Sequence, residues 1–206
     1  MYSLKILFLV LLGCFFLTHL YPDLATAQVR ENTPARQSIR SVQADFVQEK
    51  QLPILARPLV SRGRFFFQAP DSLRWEYTSP LHSILLLHQG ECRKYIEKEG
   101  RMEPTTGIAA TGLAVILTEL TGWLQGDFHD TATFQVRRDT PSGLIRLIPR
   151  QQGLKNIIQE IDLEPDAGTG LLHTVRIVED REAVTIMTFT NGRVNQPIAP
   201  ELFTRP

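Results

Sequence analysis

The chain has 206 residues, 43% of them hydrophobic, with 22 basic and 22 acidic side chains. Balanced charge leaves no basic surplus to hold nucleic acid and no polybasic run for anionic lipid. Beyond the first residues no apolar stretch is long enough to span a bilayer, and the remaining length suits one domain with one core.

The N-terminus reads as an export signal. Lys5 supplies a short basic region, Ile6 to Leu17 is almost wholly apolar, and Ala25-Thr26-Ala27 is a small-x-small site ahead of Gln28. This predicts a cleavable signal peptide over 1–27 and a single exported domain over 28–206. Leu11-Leu12-Gly13-Cys14 also resembles a lipoprotein cleavage box, which would leave a lipidated Cys14. The apolar run continues past that cysteine through Phe15, Phe16 and Leu17, which favours the later site. After removal of 1–27 the only cysteine is Cys92, so no internal disulfide is expected and stability must come from packing.

Asn32-Thr33-Pro34 reads as a capped helix start with Pro in its first turn, predicting a short helix to about Val42. Ala44 to Leu52 alternates as a strand. Further strands are predicted over Leu59–Gln68, Leu73–Ser79, His82–Gln89 and Glu91–Glu97, joined by turns containing Pro or Gly. Alternation places Phe65 with Phe67 on one face, and Leu73, Trp75 and Tyr77 on one face with Arg74 and Glu76 behind. Two neighbouring strands thus make an aromatic wall with a charged back. Ser83 to Leu87 is apolar on both faces, which predicts cover on both sides. Glu97 to Glu103 mixes charges around Gly100 and reads as a solvated hairpin tip. Thr111 to Gln125 then carries Leu113, Ile116, Leu117, Leu120, Trp123 and Leu124 at spacings of three and four, a helical stripe. Alternation resumes over Phe128–Arg138, Gly143–Pro149, Leu154–Glu164, Leu171–Glu179 and Ala183–Val194.

The predicted fold is therefore mainly β with an α lid. About ten or eleven antiparallel strands exceed what a flat sheet usually holds, so the sheet should curl. Helices can cover the hollow it makes.

Catalytic signatures are missing. There is no Gly-x-Ser-x-Gly, His-Glu-x-x-His, Cys-x-x-Cys or phosphate-binding Gly-rich loop. Asp127, His129 and Asp130 form the one local cluster with metal-ligand residue types, at a turn where polar side chains are expected anyway. No enzyme activity, metal or cofactor is expected. Two readings of the apolar surface stay open: an ordinary core, or a cavity between sheet and helices that admits lipid chains.

The run Ala44-Asp45-Phe46-Val47-Gln48-Glu49-Lys50, then Ser61-Arg62-Gly63-Arg64-Phe65, then Pro70-Asp71-Ser72-Leu73-Arg74-Trp75-Glu76-Tyr77 with Pro80 after it, resembles the LolA family of periplasmic outer-membrane lipoprotein carriers. Phe189-Thr190-Asn191-Gly192-Arg193-Val194-Asn195 through Pro200 to Phe203 fits the same pattern. The resemblance implies an incomplete antiparallel β-barrel covered by two or three helices over an apolar cavity. It implies a monomeric carrier that takes acylated lipoprotein or glycolipid cargo from an inner-membrane transporter and gives it to an outer-membrane acceptor. By position, Phe46, Phe65, Phe67, Leu73, Trp75 and Tyr77 would form the sheet side of the cavity, and Ile116, Leu117, Leu120 and Trp123 the lid. The Tyr77 hydroxyl and the indole N–H of Trp75 or Trp123 are candidates to meet a polar linkage in the cargo.

Two departures bear on mechanism. The carriers have an Arg immediately before the Pro that aligns with Pro70, where it helps latch the lid; here that residue is Ala69. The chain also stops at Pro206, soon after Phe203, where the carriers continue. Latching and docking are therefore expected to differ. A lipid-sensing regulatory or adaptor module on the same fold is the alternative function.

Overall fold

The computed structural model describes residues 39–105, 119–120, 122–124, 127–166, 168–169, 171–179 and 183–206. All of them fall in one unit, Gln37–Pro206. The signal peptide, most of the predicted first helix, Ile116 and Leu117 lie outside the described residues.

Eleven strands form one antiparallel sheet: β1 (Ser41–Gln51), β2 (Leu59–Gln68), β3 (Ser72–Ser79), β4 (Ser83–His88), β5 (Glu91–Lys98), β6 (Arg101–Pro104), β7 (Phe134–Arg138), β8 (Ile145–Pro149), β9 (Glu160–Pro165), β10 (Leu172–Val178) and β11 (Val184–Val194). A four-residue helix α1 (Gln152–Lys155) precedes β9, and a 3-10 turn (Pro200–Phe203) ends the chain. The order across the sheet is β6-β5-β4-β3-β2-β1-β11-β10-β9-β8-β7. The first and last strands pair, Phe46 opposite Phe189, so each half of the chain is a meander running outward from that seam. Among the described residues the edge strands are β6 and β7, which follow one another in the chain.

Side chains directly opposite each other in an antiparallel ladder share a face. The pairs Phe46–Gly63, Phe65–Trp75, Phe67–Leu73 and Leu73–Leu87 on one side of the seam, and Val175–Met187, Ile177–Ile161 and Leu147–Val136 on the other, trace one continuous inner face. That face is apolar and carries the core. Leu85 and Lys94 on β4 and β5 line the same cavity as Ile161 and Leu163 on β9. β5 and β9 are seven positions apart in the sheet order, which in a flat sheet is about 34 Å at roughly 4.8 Å per strand. The sheet must wrap to bring them together. The fold is the expected open, incomplete barrel.

Gly63 on β2, opposite Phe46, allows a close approach beside the seam. A Cβ there would lie 2.0 Å from the Glu76 carbonyl oxygen and 2.5 Å from Cζ of Phe46, so the Phe46 ring occupies the place of a side chain. Phe46 is fully buried as a result.

The outer face is mostly polar, and its fully buried apolar side chains lie under the C-terminal turn. There Ile84, Leu86 and Phe203 are buried, and this accounts for the two-sided apolar character of β4. Beside them sits a buried ion pair. Arg74 Nε donates to Glu76 Oε2 at 2.9 Å, and Arg74 Nη1 donates to the carbonyl oxygens of Leu202 (3.1 Å) and Arg205 (2.7 Å). Arg64 and His82 also reach Glu76 Oε1, each at 3.1 Å. Burial works to raise the Glu76 carboxyl, but the hydrogen bond and charge of Arg74, with His82 and Arg64, outweigh it and hold it below 4.5.

The structure corrects several boundaries. Ser41 and Val42 belong to β1, not to the end of a helix: Val42 pairs with Phe67 on one side and Val194 on the other, and ladders on both edges outweigh local helix preference. Arg101–Pro104 pairs with β5 as an added strand. Residues 128–133 are not strand. The Thr131 hydroxyl accepts from the amides of Thr133 and Phe134, and Asp130 accepts from Val136, so side chains take the bonds a ladder would need. Residues 154–159 fall in α1 and the loop after it, and β9 begins only at Glu160. The helical reading around Leu120 holds where it is described, at residues 119, 120 and 122–124.

Candidate functional site

Antiparallel alternation gives the barrel two ends. The upper end holds the β1–β2 loop, the β3–β4 turn and the start of β9. The lower end holds the start of β1, the β9–β10 turn and the end of β11. An apolar cavity lies toward each end.

The upper cavity has a volume of about 390 Å³, within the roughly 300–1,000 Å³ typical of small-molecule sites. Trp75 and Tyr77 from β3, Leu85 from β4, Val175 and Ile177 from β10 and Phe189 from β11 form its sheet wall, and Leu120 and Trp123 form its helical wall. Trp123 is anchored edge-on against Phe134, with centroids 5.5 Å apart. An aromatic group backs the sheet wall. Phe46 meets Trp75 at 5.4 Å and Tyr77 at 5.2 Å, and Phe65 meets Trp75 at 5.4 Å. Phe189 touches Phe46, Phe65 and Trp75 at 6.2, 5.9 and 6.3 Å.

Polar groups in this cavity are few. Tyr77 donates to Gln48 Oε1 at 2.7 Å, and its burial pushes the phenol up to about 12, offset slightly by the nearby Trp75 indole. Tyr77 therefore stays neutral and already engaged. The Trp75 indole N–H is buried without a partner of hydrogen-bond geometry among the described residues, its approach to Tyr77 included. An orphaned donor of this kind costs about 1–3 kcal/mol, a cost that an acceptor on a bound ligand would remove. At the mouth Glu179 is held by Lys50 at 2.6 Å and by the Thr185 hydroxyl at 2.7 Å.

The large apolar side chains left exposed among the described residues are Ile54, Leu55, Leu59, Val60, Leu81 and Ile157. All six lie at the upper end, and Ile157 lines the cavity mouth itself.

The expected site residues divide as follows. Trp75, Tyr77, Leu120 and Trp123 line the upper cavity, while Phe65 and Leu120 line the lower one. Phe46, Phe67 and Leu73 are buried on the same inner face as core. Phe189, Met187, Val175 and Ile177 were not singled out from the sequence, although Met187 and Phe189 alternate on β11 as Trp75 and Tyr77 do on β3. Among the described residues no three potential ligands group as a metal site. Asp127 pairs with His129 at 2.6 Å, and Asp130 pairs with Arg150. Cys92 is half-buried and burial pushes its thiol up, which suits packing rather than reactivity.

Fold and site together define a protein with apolar cavities enclosed by an open, wrapped antiparallel sheet. The family model described as outer membrane lipoprotein carrier protein LolA matches residues 37–100, the half of the sheet from β1 to β5. A Methylococcus capsulatus protein named outer-membrane lipoprotein carrier protein is 27% identical over 173 residues, covering 81% of this chain and 77% of that one. The chain is LolA-like, as the sequence resemblance had it. Among solved structures, a DUF1329 family protein from Desulfovibrio piger is 9% identical with a TM-score of 0.46, covering 82% of this chain and 91% of that one. A LolA superfamily protein from Nitrosomonas europaea is 11% identical with a TM-score of 0.42, covering 80% and 90%.

Proposed function

We propose that this protein is a periplasmic carrier, exported by a signal peptide over 1–27. It holds the acyl chains of a lipoprotein or other lipidated cargo in the upper cavity and moves them from an inner-membrane transporter to an outer-membrane acceptor. The observation that carries this reading is the apolar cavity of about 390 Å³ between the Trp75–Phe189 wall and Leu120–Trp123. The lipoprotein-carrier name of the relative and of the matching family model supports the choice of cargo.

The energetics ask for such a container. Each buried methylene contributes about 0.8 kcal/mol, so a chain of roughly sixteen carbons costs on the order of 10 kcal/mol to expose to water. Transfer across an aqueous gap is negligible without shelter. The exposed apolar side chains at the upper rim give the cavity an apolar approach, suited to handing a chain over without wetting it. No covalent chemistry enters this role.

Uptake of a fluorescent acyl probe tests the proposal. Trp75→Glu and Leu120→Glu each place a charge in the cavity wall and are expected to abolish uptake while circular dichroism stays that of the wild type. Unchanged uptake in both folded variants would refute the proposed site.

A further inference from the structure

The lower cavity has a volume of about 360 Å³. Its apolar wall is Val42 and Ala44 from β1, Phe65 from β2, Leu124 from the helix, and Leu171 and Leu172 from the β9–β10 side. Among the described residues it shares two with the upper cavity, Leu120 and Phe189. Leu120 reaches in from the helix and Phe189 from the sheet, and three aromatic neighbours hold Phe189 in place. These two side chains form a septum. The described lining residues of the two cavities lie toward opposite ends of the barrel, so one lipid whose chains filled both would have to place its head between Leu120 and Phe189.

The two mouths differ in chemistry. The upper rim carries the exposed apolar side chains beside one internally neutralised ion pair, Lys50–Glu179. The lower rim carries Asp166, Thr169, His173, Thr190 and Asn191. The Asp166 carboxylate accepts from the amides of Gly168 (3.1 Å) and Thr169 (2.7 Å) and from the Thr169 hydroxyl (2.8 Å). These bonds, the Thr169 amide first, hold its carboxyl below the usual range, so it is ionised at neutral pH. Asn191 donates at 2.7 Å to Asp45, which lies on the outer face of β1 opposite Arg64 and does not line this cavity. An anionic head would meet the Asp166 charge here, whereas hydroxyl or amide groups would find donors and acceptors in Asp166, Thr169, His173, Thr190 and Asn191.

We infer that the lower cavity is a second binding site, distinct from the proposed cargo cavity, for a single-chain amphiphile with an uncharged hydrogen-bonding head. A methylene takes about the space of a water in the liquid, roughly 30 Å³, so the compartment holds on the order of a dozen methylenes. That is room for most of one acyl chain.

Native mass spectrometry of the delipidated full chain with 1-monopalmitoylglycerol tests this. The wild type is expected to bind two molecules. Leu171→Trp, which fills the lower compartment, and Ile177→Trp, which fills the upper one, are each expected to bind one, and the double variant none. Ala44→Leu reports on the lower site if Leu171→Trp does not fold. Palmitate, with the same chain length and an anionic head, is expected to bind Ile177→Trp more weakly by about tenfold or more. Two molecules retained by both lower-site variants, a single molecule on the wild type, or loss of both molecules from either single variant would overturn the inference. Equal binding of palmitate would overturn the head-group assignment. Loss of one molecule in Leu171→Trp with none lost in Ile177→Trp would sustain the lower site and refute the cargo cavity instead.

Discussion

Glu76 is the residue on which charge and packing meet. Its carboxylate is buried against Arg74, and Arg74 in turn grips the carbonyls of Leu202 and Arg205. Removing one partner of a buried pair leaves the other uncompensated, which typically costs about 3–5 kcal/mol. Glu76→Gln is expected to lose stability of that order in urea denaturation at neutral pH. The pH dependence follows from the direction of the shift. The folded-state carboxyl lies below its unfolded value of 4.5, so its contribution is complete above 4.5 and is lost as pH falls through the lower, folded value. The wild type should therefore lose stability more steeply than Glu76→Gln as pH drops below 4.5. Parallel acid profiles would contradict this. The sequence placed Arg74 and Glu76 together on the outer face, because alternation alone fixes that. It gave no sign that the chain terminus covers them, because that contact spans 128 positions from Arg74 to Leu202.

At the scale of elements, strands that alternate cleanly were legible, whereas residues 128–133, held by side-chain bonds, were misread as strand. β2 to β5 and β10 to β11 follow from period-two patterns bounded by turns. β6 escaped notice because Arg101, Glu103 and Pro104 carry no apolar alternation; it exists because β5 offers it an edge. α1 has no side-chain cap and no buried residue, so nothing in its sequence announces it. The C-terminal 3-10 turn was likewise missed. Its Phe203 is buried over the outer face near β3 and β4, and Phe→Ala truncation in a packed site costs about 3–5 kcal/mol. Phe203→Ala is expected to lower the denaturation midpoint by that amount and leave acyl-probe affinity in the folded protein unchanged, since the cavities lie on the opposite face of the sheet. A selective loss of affinity at unchanged stability would contradict this assignment of Phe203.

For the whole molecule, the governing fact is the β1–β11 seam. It joins the two meanders so that the aromatics of β3 and the aliphatics of β9 to β11 line one cavity. Half of the candidate site, Trp75, Tyr77, Leu120 and Trp123, was readable from local periodicity and family resemblance. The other half, Val175, Ile177, Met187 and Phe189, depends on pairing between chain ends, which no local pattern encodes. Phe46, Phe67 and Leu73 share the inward face with the lining residues, and periodicity does not distinguish a side chain that faces a cavity from one packed behind it. The most direct measurement is mass spectrometry of the protein isolated from the periplasm without detergent, with solvent extraction of whatever accompanies it. The carrier account predicts a bound acylated molecule on the wild type that is lost from folded Trp75→Glu; a wild type that leaves the cell at its bare polypeptide mass, with nothing acylated in the extract, would contradict it.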